Sequence, residues 1–366
     1  MIQLKELPLD LVLNSLYILN MILAYSNIIH YLISLNSSKS KEDLLEFKDN
    51  FLSEKYQINQ NKNTQVEFKN RSFNVVAKNK DAQSFFLKQP KNFDFLNKNQ
   101  LEREDLFYDL IKDEEKLKRV IPKFFDYNQK LSISVFRYVE NFGTVDLLEG
   151  ENYTVLEKLG QSLFRVHSEC KKYLDKNEAK IFQKLYPSKV FLMADNNSSI
   201  LNEENLDRFN LNDLNTFLVR HPEYKKIVND AQTIWMKDSD SKTLIHGDFK
   251  LNNIIIDIKK NIWIVDWENV LIGTPEWDYA TLLFSIFLTE DIKKEDFLLK
   301  IEKKIKSFEK GYGAGFIKEK TEAYFLILAI DYLSPQGYRI ENTNVINESL
   351  LDILNKKITN HAFFIS

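Results

Sequence analysis

The chain has 366 residues, length enough for two lobes and an extension. Its 50 basic and 53 acidic side chains leave a net charge of −3, which argues against a general nucleic-acid binder, whose footprint would be basic, and announces no polycationic substrate. One cysteine, Cys170, excludes an internal disulfide and a cysteine-based zinc site, and five scattered histidines offer no metal spacing, so a cytoplasmic protein is the simplest reading.

Within residues 7–36, Leu11–Tyr25 is dense in Leu, Ile and Val, but the segment is interrupted by Asp10, Asn14, Asn20, Ser26, Asn27 and His30. A membrane-spanning helix wants about 20 predominantly apolar residues, so no span is expected. A basic start and a small-residue cleavage site are both unclear, which argues against a signal peptide. The segment reads as one or two helices that bury against the amino-terminal lobe, a protein partner or a second copy, with 37–41 and 57–63 as connectors.

Gln65–Ala77 and Gln83–Lys88 read as strands of a hairpin around a polar turn at 78–82, and Gln100–Lys112 reads as a helix. Leu131–Val139 alternates like a buried strand until Glu140–Thr144 breaks it. Leu156, Leu159, Leu163 and Val166 recur at helical spacing, a core-facing stripe that ends at His167, itself expected to be structural. Trp277–Leu288 and Glu319–Leu333 are strongly apolar helical segments, the second ended by Pro335-Gln336-Gly337. Between them, Lys293–Lys310 carries Phe297, Leu298, Ile301 and Ile305 on the apolar side of a solvated helix. Gly311–Gly315 lacks the Lys-Ser or Lys-Thr of a phosphate loop and reads as an interhelical loop.

The chemistry is stated by His246-Gly247-Asp248-Phe249-Lys250-Leu251-Asn252-Asn253. Thr243–Ile245 and Ile254–Ile256 flank it as short strands, and after the polar turn 257–261 comes a third strand, Ile262–Val265. Such a hairpin sets the loop beside Asp266, which follows Asp248 by 18 residues. Asp266 and Asn253 can then act as carboxylate and amide ligands of one Mg²⁺, which prefers oxygen donors and takes only one or two carboxylates. Asp248 suits the role of proton acceptor for an attacking hydroxyl, and Lys250 that of offsetting charge on a transferring phosphoryl group. A lone His-Gly-Asp would be an ordinary turn with a capping Asp. The coupled Asn253 and Asp266 make phosphoryl transfer the better reading.

This constellation resembles the aminoglycoside phosphotransferase and choline kinase superfamily, whose catalytic loop reads His-Gly-Asp with Asn five residues after the Asp. Leu159-Gly160 through Leu163 to His167 is similar to the family's Leu-Gly to Leu-His helix. Asp266-Trp267-Glu268 and Gly273-Thr274-Pro275-Glu276-Trp277-Asp278 resemble its Asp-Trp-Glu and Gly-x-Pro-x-x-Asp segments. The motifs occur in family order over roughly residues 66–340.

The resemblance implies an α+β, bilobal, protein-kinase-like fold with a small β-rich N-lobe and a larger helical C-lobe, here with an N-terminal helical extension. The expected division is 1–64 for the extension and linker, 65–140 for the nucleotide-binding N-lobe, and 141–366 for the C-lobe with the catalytic loop and acceptor-binding helices. It also implies ATP as donor, with GTP as the open alternative, and Mg²⁺. Lys88 fits the strand lysine on the nucleotide phosphates, and Glu104, preceded by Arg103, its ion-pair partner. Arg137 to Val139 stand where a kinase hinge meets the base, so Arg137 and Val139 are candidate nucleotide contacts. All nine glycines lie at or after Gly143, so the loop near 71–74 has none to bring amides close to phosphates, and Ser72 and Asn74 become the candidate donors there. Glu268 and Asp278 read as acids that organise the catalytic loop or as surface acids, with the first favoured for Asp278. The acceptor is a small-molecule or peptide hydroxyl. Two alternatives stand beside this reading: a lanthipeptide-type kinase that phosphorylates Ser or Thr during ribosomal-peptide maturation, and a silent pseudokinase that acts as a binding module.

Overall fold

In the computed structural model, alternation of side chains shapes the amino-terminal sheet. Strands β1 (Gln65–Phe68), β2 (Ser72–Lys78) and β3 (Ser84–Pro90) form an antiparallel meander. In β3, Phe85 and Leu87 are fully buried while Ser84 and Phe86 are half-buried, the two-residue period of a strand with one face on a core. The structure describes residues 65–68, 72–78, 84–90, 95–128, 133–142, 152–183, 186–191, 211–237, 241–290, 293–313, 315–336 and 344–358. The apolar segment 7–36 and its connectors lie outside the described residues.

Helix α1 (Phe95–Ile111) follows, then β4 (Phe124–Asn128) and β5 (Ile133–Arg137). The sheet order is β1-β2-β3-β5-β4, with Phe85 opposite Arg137 and Lys88 opposite Ser134. The stretch Gln65–Ala77 therefore folds into two paired strands, where one was expected from its sequence. Ser72 and Asn74 consequently sit on β2 and not in a loop, with Ser72 opposite Pro90 and Asn74 between Glu67 and Lys88. The chain divides into two compact units. One takes in the strands up to Leu101 together with Phe125–Tyr138, and the other takes Glu102–Phe124 together with the residues from Val139 onward.

The second unit is mainly helical. It contains α2 (Tyr153–Cys170), α3 (Leu211–Arg220), α4 (Tyr224–Lys237), α5 (Pro275–Thr289), α6 (Phe297–Tyr312), α7 (Lys318–Gln336) and α8 (Asn344–Ile358). Leu156, Leu159, Leu163 and Val166 of α2 are essentially inaccessible. Burying each such side chain contributes about 1.5–3 kcal/mol, far more than helix propensity could. On α6, Phe297, Ile301 and Ile305 are buried as the period predicts, but Leu298 is 56% exposed. It falls one residue off the stripe, and Lys304 enters the interior instead, paired with Glu290.

Gly311 and Tyr312 belong to the last turn of α6, so the cluster read as an interhelical loop begins inside the helix. Gly311 has a packing role: a Cβ there would overlap the backbone of Glu157, and one on Gly160 would overlap the backbone of Phe308 and Tyr312. Two glycines thus let α2 and α6 lie backbone to backbone. Gly313, at φ 75°, then ends α6 in the left-handed conformation, its N–H donating to Glu309 O at 2.9 Å.

Two short two-stranded sheets of the same unit carry the loop chemistry. β6 (Thr243–Ile245) pairs with β9 (Leu271–Gly273), and β7 (Ile254–Ile256) pairs antiparallel with β8 (Ile262–Ile264). The 257–261 turn is closed by Asp257, whose Oδ1 accepts from Lys259 N and Asn261 N, both at 2.9 Å, and whose Oδ2 accepts from Trp263 Nε1 at 3.0 Å. Among the described residues, no helix is long and apolar enough to cross a membrane.

Candidate active site

The loop between β6 and β7 is shaped by hydrogen bonds to its main chain. Gly247 adopts φ +81°, and a Cβ there would overlap Asn269 O and press on Leu271, so both conformation and space require glycine. Asp278, in the first turn of α5 and fully buried, receives His246 N–H on Oδ2 at 2.8 Å and Gly247 N–H on Oδ1 at 2.9 Å. Trp277 Nε1 donates to Gly247 O at 3.0 Å, and Leu251 N–H reaches Ser285 Oγ at 3.1 Å. One helix therefore holds the loop at both ends. Asp278 is a loop organiser, the alternative favoured for it from the sequence.

His246 is inaccessible and joins two pieces of the site. Its Nδ1 accepts from Asp248 N–H at 3.3 Å and its Nε2 lies 2.9 Å from Val265 O. Since a carbonyl only accepts and an amide N–H only donates, the ring carries its proton on Nε2. Val265 N–H in turn donates to Asn253 O at 3.0 Å. Both ends of the loop are thus tied to the residue before Asp266, the proximity expected of the hairpin.

Within the loop, Asp248 Oδ2 accepts from Lys250 Nζ at 2.6 Å and from Asn253 Nδ2 at 3.1 Å, while Asn253 Nδ2 also donates to Asp248 O at 2.8 Å. Lys250 is 42% and Asp248 27% exposed, so the pair faces solvent on one side. Asn253 is buried, and with its NH₂ committed to Asp248 its amide oxygen is the end available to a cation.

Asp266 is held at φ 69°, ψ 57°, a left-handed conformation that Asp tolerates better than most residues. Helix α1 grips the turn that follows. Glu104 Oε1 accepts Trp267 N–H at 2.9 Å, Arg103 Nη2 donates to Glu268 O at 3.3 Å, and the Phe107 ring stacks on Trp267 with centroids 4.4 Å apart. Burial pushes the Arg103 guanidinium pKa down, and Glu268 acts in the opposite direction. Carboxylate oxygens of Glu104, Asp266 and Glu268 lie within 4.8 Å of one another. Among the described residues this is a cluster of hard oxygen donors, of which a Mg²⁺ would take one or two.

The other sequence candidates are divided between the two units. Lys88 of β3 and Arg137 of β5 belong to the first unit, whereas Glu104 and Val139 belong to the second. Lys88 and Asn74 are both buried on neighbouring strands and lie opposite each other in the register. Ser285, which receives Leu251 N–H, and Tyr312, whose hydroxyl pairs with His167, were not among the sequence candidates, because no local spacing signals such contacts.

A sheet-bearing unit, a helical carboxy-terminal part, and an Asp-Lys-Asn loop beside a strand-end Asp define a protein-kinase-like phosphotransferase fold. The chain belongs to the phosphotransferase enzyme family, whose model matches residues 65–295. No curated protein matches it in sequence. Among solved structures, choline kinase LicA from Streptococcus pneumoniae is similar with a TM-score of 0.53 at 16% identity, over 87% of this chain and 100% of its own. Amicoumacin kinase hAmiN, in complex with AMP-PNP, Ca²⁺ and Ami, gives 0.55 at 12% identity, over 88% and 98%. APH(2")-IIa in its gentamicin complex gives 0.53 at 16% identity, over 84% and 94%.

Proposed function

We propose that the protein is an ATP- and Mg-dependent kinase that moves the γ-phosphate to a hydroxyl of a small molecule, with Asp248 as the base. The observation that carries this reading is the shared carboxylate oxygen of Asp248, bound by Lys250 and Asn253 in a loop tied through His246 and Asn253 to the residue before Asp266. Asp248 takes the acceptor's proton as its oxygen attacks phosphorus, and the bond to the departing nucleoside diphosphate breaks. Lys250, already ion-paired beside that oxygen, offsets charge on the phosphoryl group in transit. Asp266 and the amide oxygen of Asn253 would hold Mg²⁺, with the Glu104 and Glu268 carboxylates close to that of Asp266. Bound there, the cation would neutralise phosphate charge.

Lys88 is assigned to the nucleotide phosphates, with Ser72 and Asn74 on the neighbouring strand, and Arg137 and Val139 are assigned to the base. Glu104 is assigned to their support. The two-lobe division, with nucleotide on residues 65–140 and acceptor on 141–366, belongs to the same proposal. A silent binding module is the weaker reading, because nothing but chemistry requires Asp248, Lys250, Asn253 and Asp266 to be assembled together.

Asp266→Asn tests the metal assignment. An amide is a poorer Mg²⁺ ligand than a carboxylate, so the Mg²⁺ concentration giving half-maximal phosphate release from ATP is expected to rise by roughly tenfold or more, with an unchanged circular-dichroism spectrum. Full activity of this variant at low Mg²⁺ would remove Asp266 as the main ligand.

A further inference from the structure

Tyr312 stands in the last turn of α6, far along the chain from the loop that carries Asp248, yet a continuous line of buried polar groups joins the two. Its hydroxyl lies 2.9 Å from His167 Nδ1, at the end of α2. His167 Nε2 lies 3.0 Å from Asp278 Oδ2, the oxygen that receives His246 N–H, while Oδ1 of the same carboxylate receives Gly247 N–H. Tyr312, His167, Asp278 and His246 are each at least 95% buried.

His167 Nε2 faces Asp278 Oδ2, which accepts from it, and Nδ1 of the same ring is paired with the Tyr312 hydroxyl, which donates to it in the Nε2–H tautomer. Burial, with the Glu276 and Asp278 carboxylates nearby, pushes the Tyr312 phenol up and keeps it protonated, as a donor must be. The packing around the tyrosine serves the same end. Gly160 and Gly311 bring α2 and α6 together at the turn of α6 that carries Tyr312, two turns of α2 before His167, and Gly313 stops α6 one residue beyond.

We propose that Tyr312 is a positioning residue of the phosphotransferase site, acting through His167 and Asp278 to fix the backbone of His246 and Gly247 and so the place of Asp248. This rests on the functional reading above. It gives the Gly-Tyr-Gly run a purpose that its sequence did not disclose. The main-chain carbonyl of His167 also accepts from the Thr243 Oγ1 hydroxyl at 2.8 Å, which ties the same histidine to β6, the strand that leads into the loop.

The test is Tyr312→Phe in the full chain. Phenylalanine keeps the ring contacts with Phe316, at 4.3 Å between centroids, and with Phe164, and removes only the hydroxyl. Amide hydrogen exchange at His246 and Gly247 is expected to quicken about tenfold while the amides of β7 and β8 keep their wild-type rates. With Mg-ATP as the probe and released phosphate as the readout, kcat is expected to fall about tenfold with KM for Mg-ATP unchanged, the size of loss typical when a group that orients a functional residue is removed. A purely structural tyrosine would lower thermal stability and leave both the loop amides and kcat as they were, which overturns the proposal. If the wild-type chain itself releases no phosphate, the phosphotransferase reading fails, and exchange at His246 and Gly247 then decides the loop-positioning link by itself, unchanged rates refuting it.

Discussion

Asp248→Ala is expected to lower phosphoryl transfer by a factor on the order of 10² to 10⁴, the usual contribution of a positioned proton acceptor. The structure sharpens the expectation. Asp248 Oδ2 is the common acceptor for Lys250 Nζ and Asn253 Nδ2, so its loss removes the proton acceptor and also leaves the lysine without its partner and the asparagine with only the Asp248 carbonyl. Because the side chain is partly exposed and the loop is held by Asp278, Trp277 and Ser285, the fold should be little affected. Steady-state kinetics should therefore show a fall in kcat with a thermal midpoint near that of wild type. Unchanged turnover would dismiss Asp248 as the base.

Asp278→Ala should act in the opposite way, on stability first. The carboxylate is fully buried and serves two main-chain N–H groups and His167 Nε2. Each buried donor left unsatisfied costs about 1–3 kcal/mol, and with water entering the vacated space a net loss of about 3–5 kcal/mol is expected. That is a large fraction of the 5–15 kcal/mol stabilising an ordinary domain. Urea denaturation measures it. A loss below about 1 kcal/mol would show that the loop is held mainly by Trp277 and Ser285.

The legible parts of this protein are those in which function constrains neighbouring residues. Asp248, Lys250 and Asn253 sit within six positions of one another, and the β7–β8 hairpin that carries Asp266 back to them is announced by two apolar runs around a polar turn. The α2 stripe was equally plain, since burial at Leu156, Leu159, Leu163 and Val166 repeats with the helical period. What stayed hidden depends on contacts between distant segments. β9 is three residues long, too short to show alternation, and exists because β6 lies beside it. Ser72 and Asn74 looked like loop residues because both are common in turns, yet pairing to β1 and β3 outweighs that preference. Gly311 looked like a loop for the same reason, but it lies within α6, with α2 packed where its side chain would stand. Glu104, read as a partner for Lys88, also receives Trp267 N–H, a main-chain contact that no residue type betrays.

The most direct measurement of the central claim is transfer of the γ-phosphate itself. Wild-type protein incubated with γ-labelled ATP and a panel of hydroxyl compounds, with choline and aminoglycosides included, should move label from the nucleotide to an acceptor or to water, and only when Mg²⁺ is present. Label that remains on ATP at every Mg²⁺ concentration, in a protein whose circular dichroism shows it folded, would contradict the account and leave the chain a kinase-like fold without kinase chemistry.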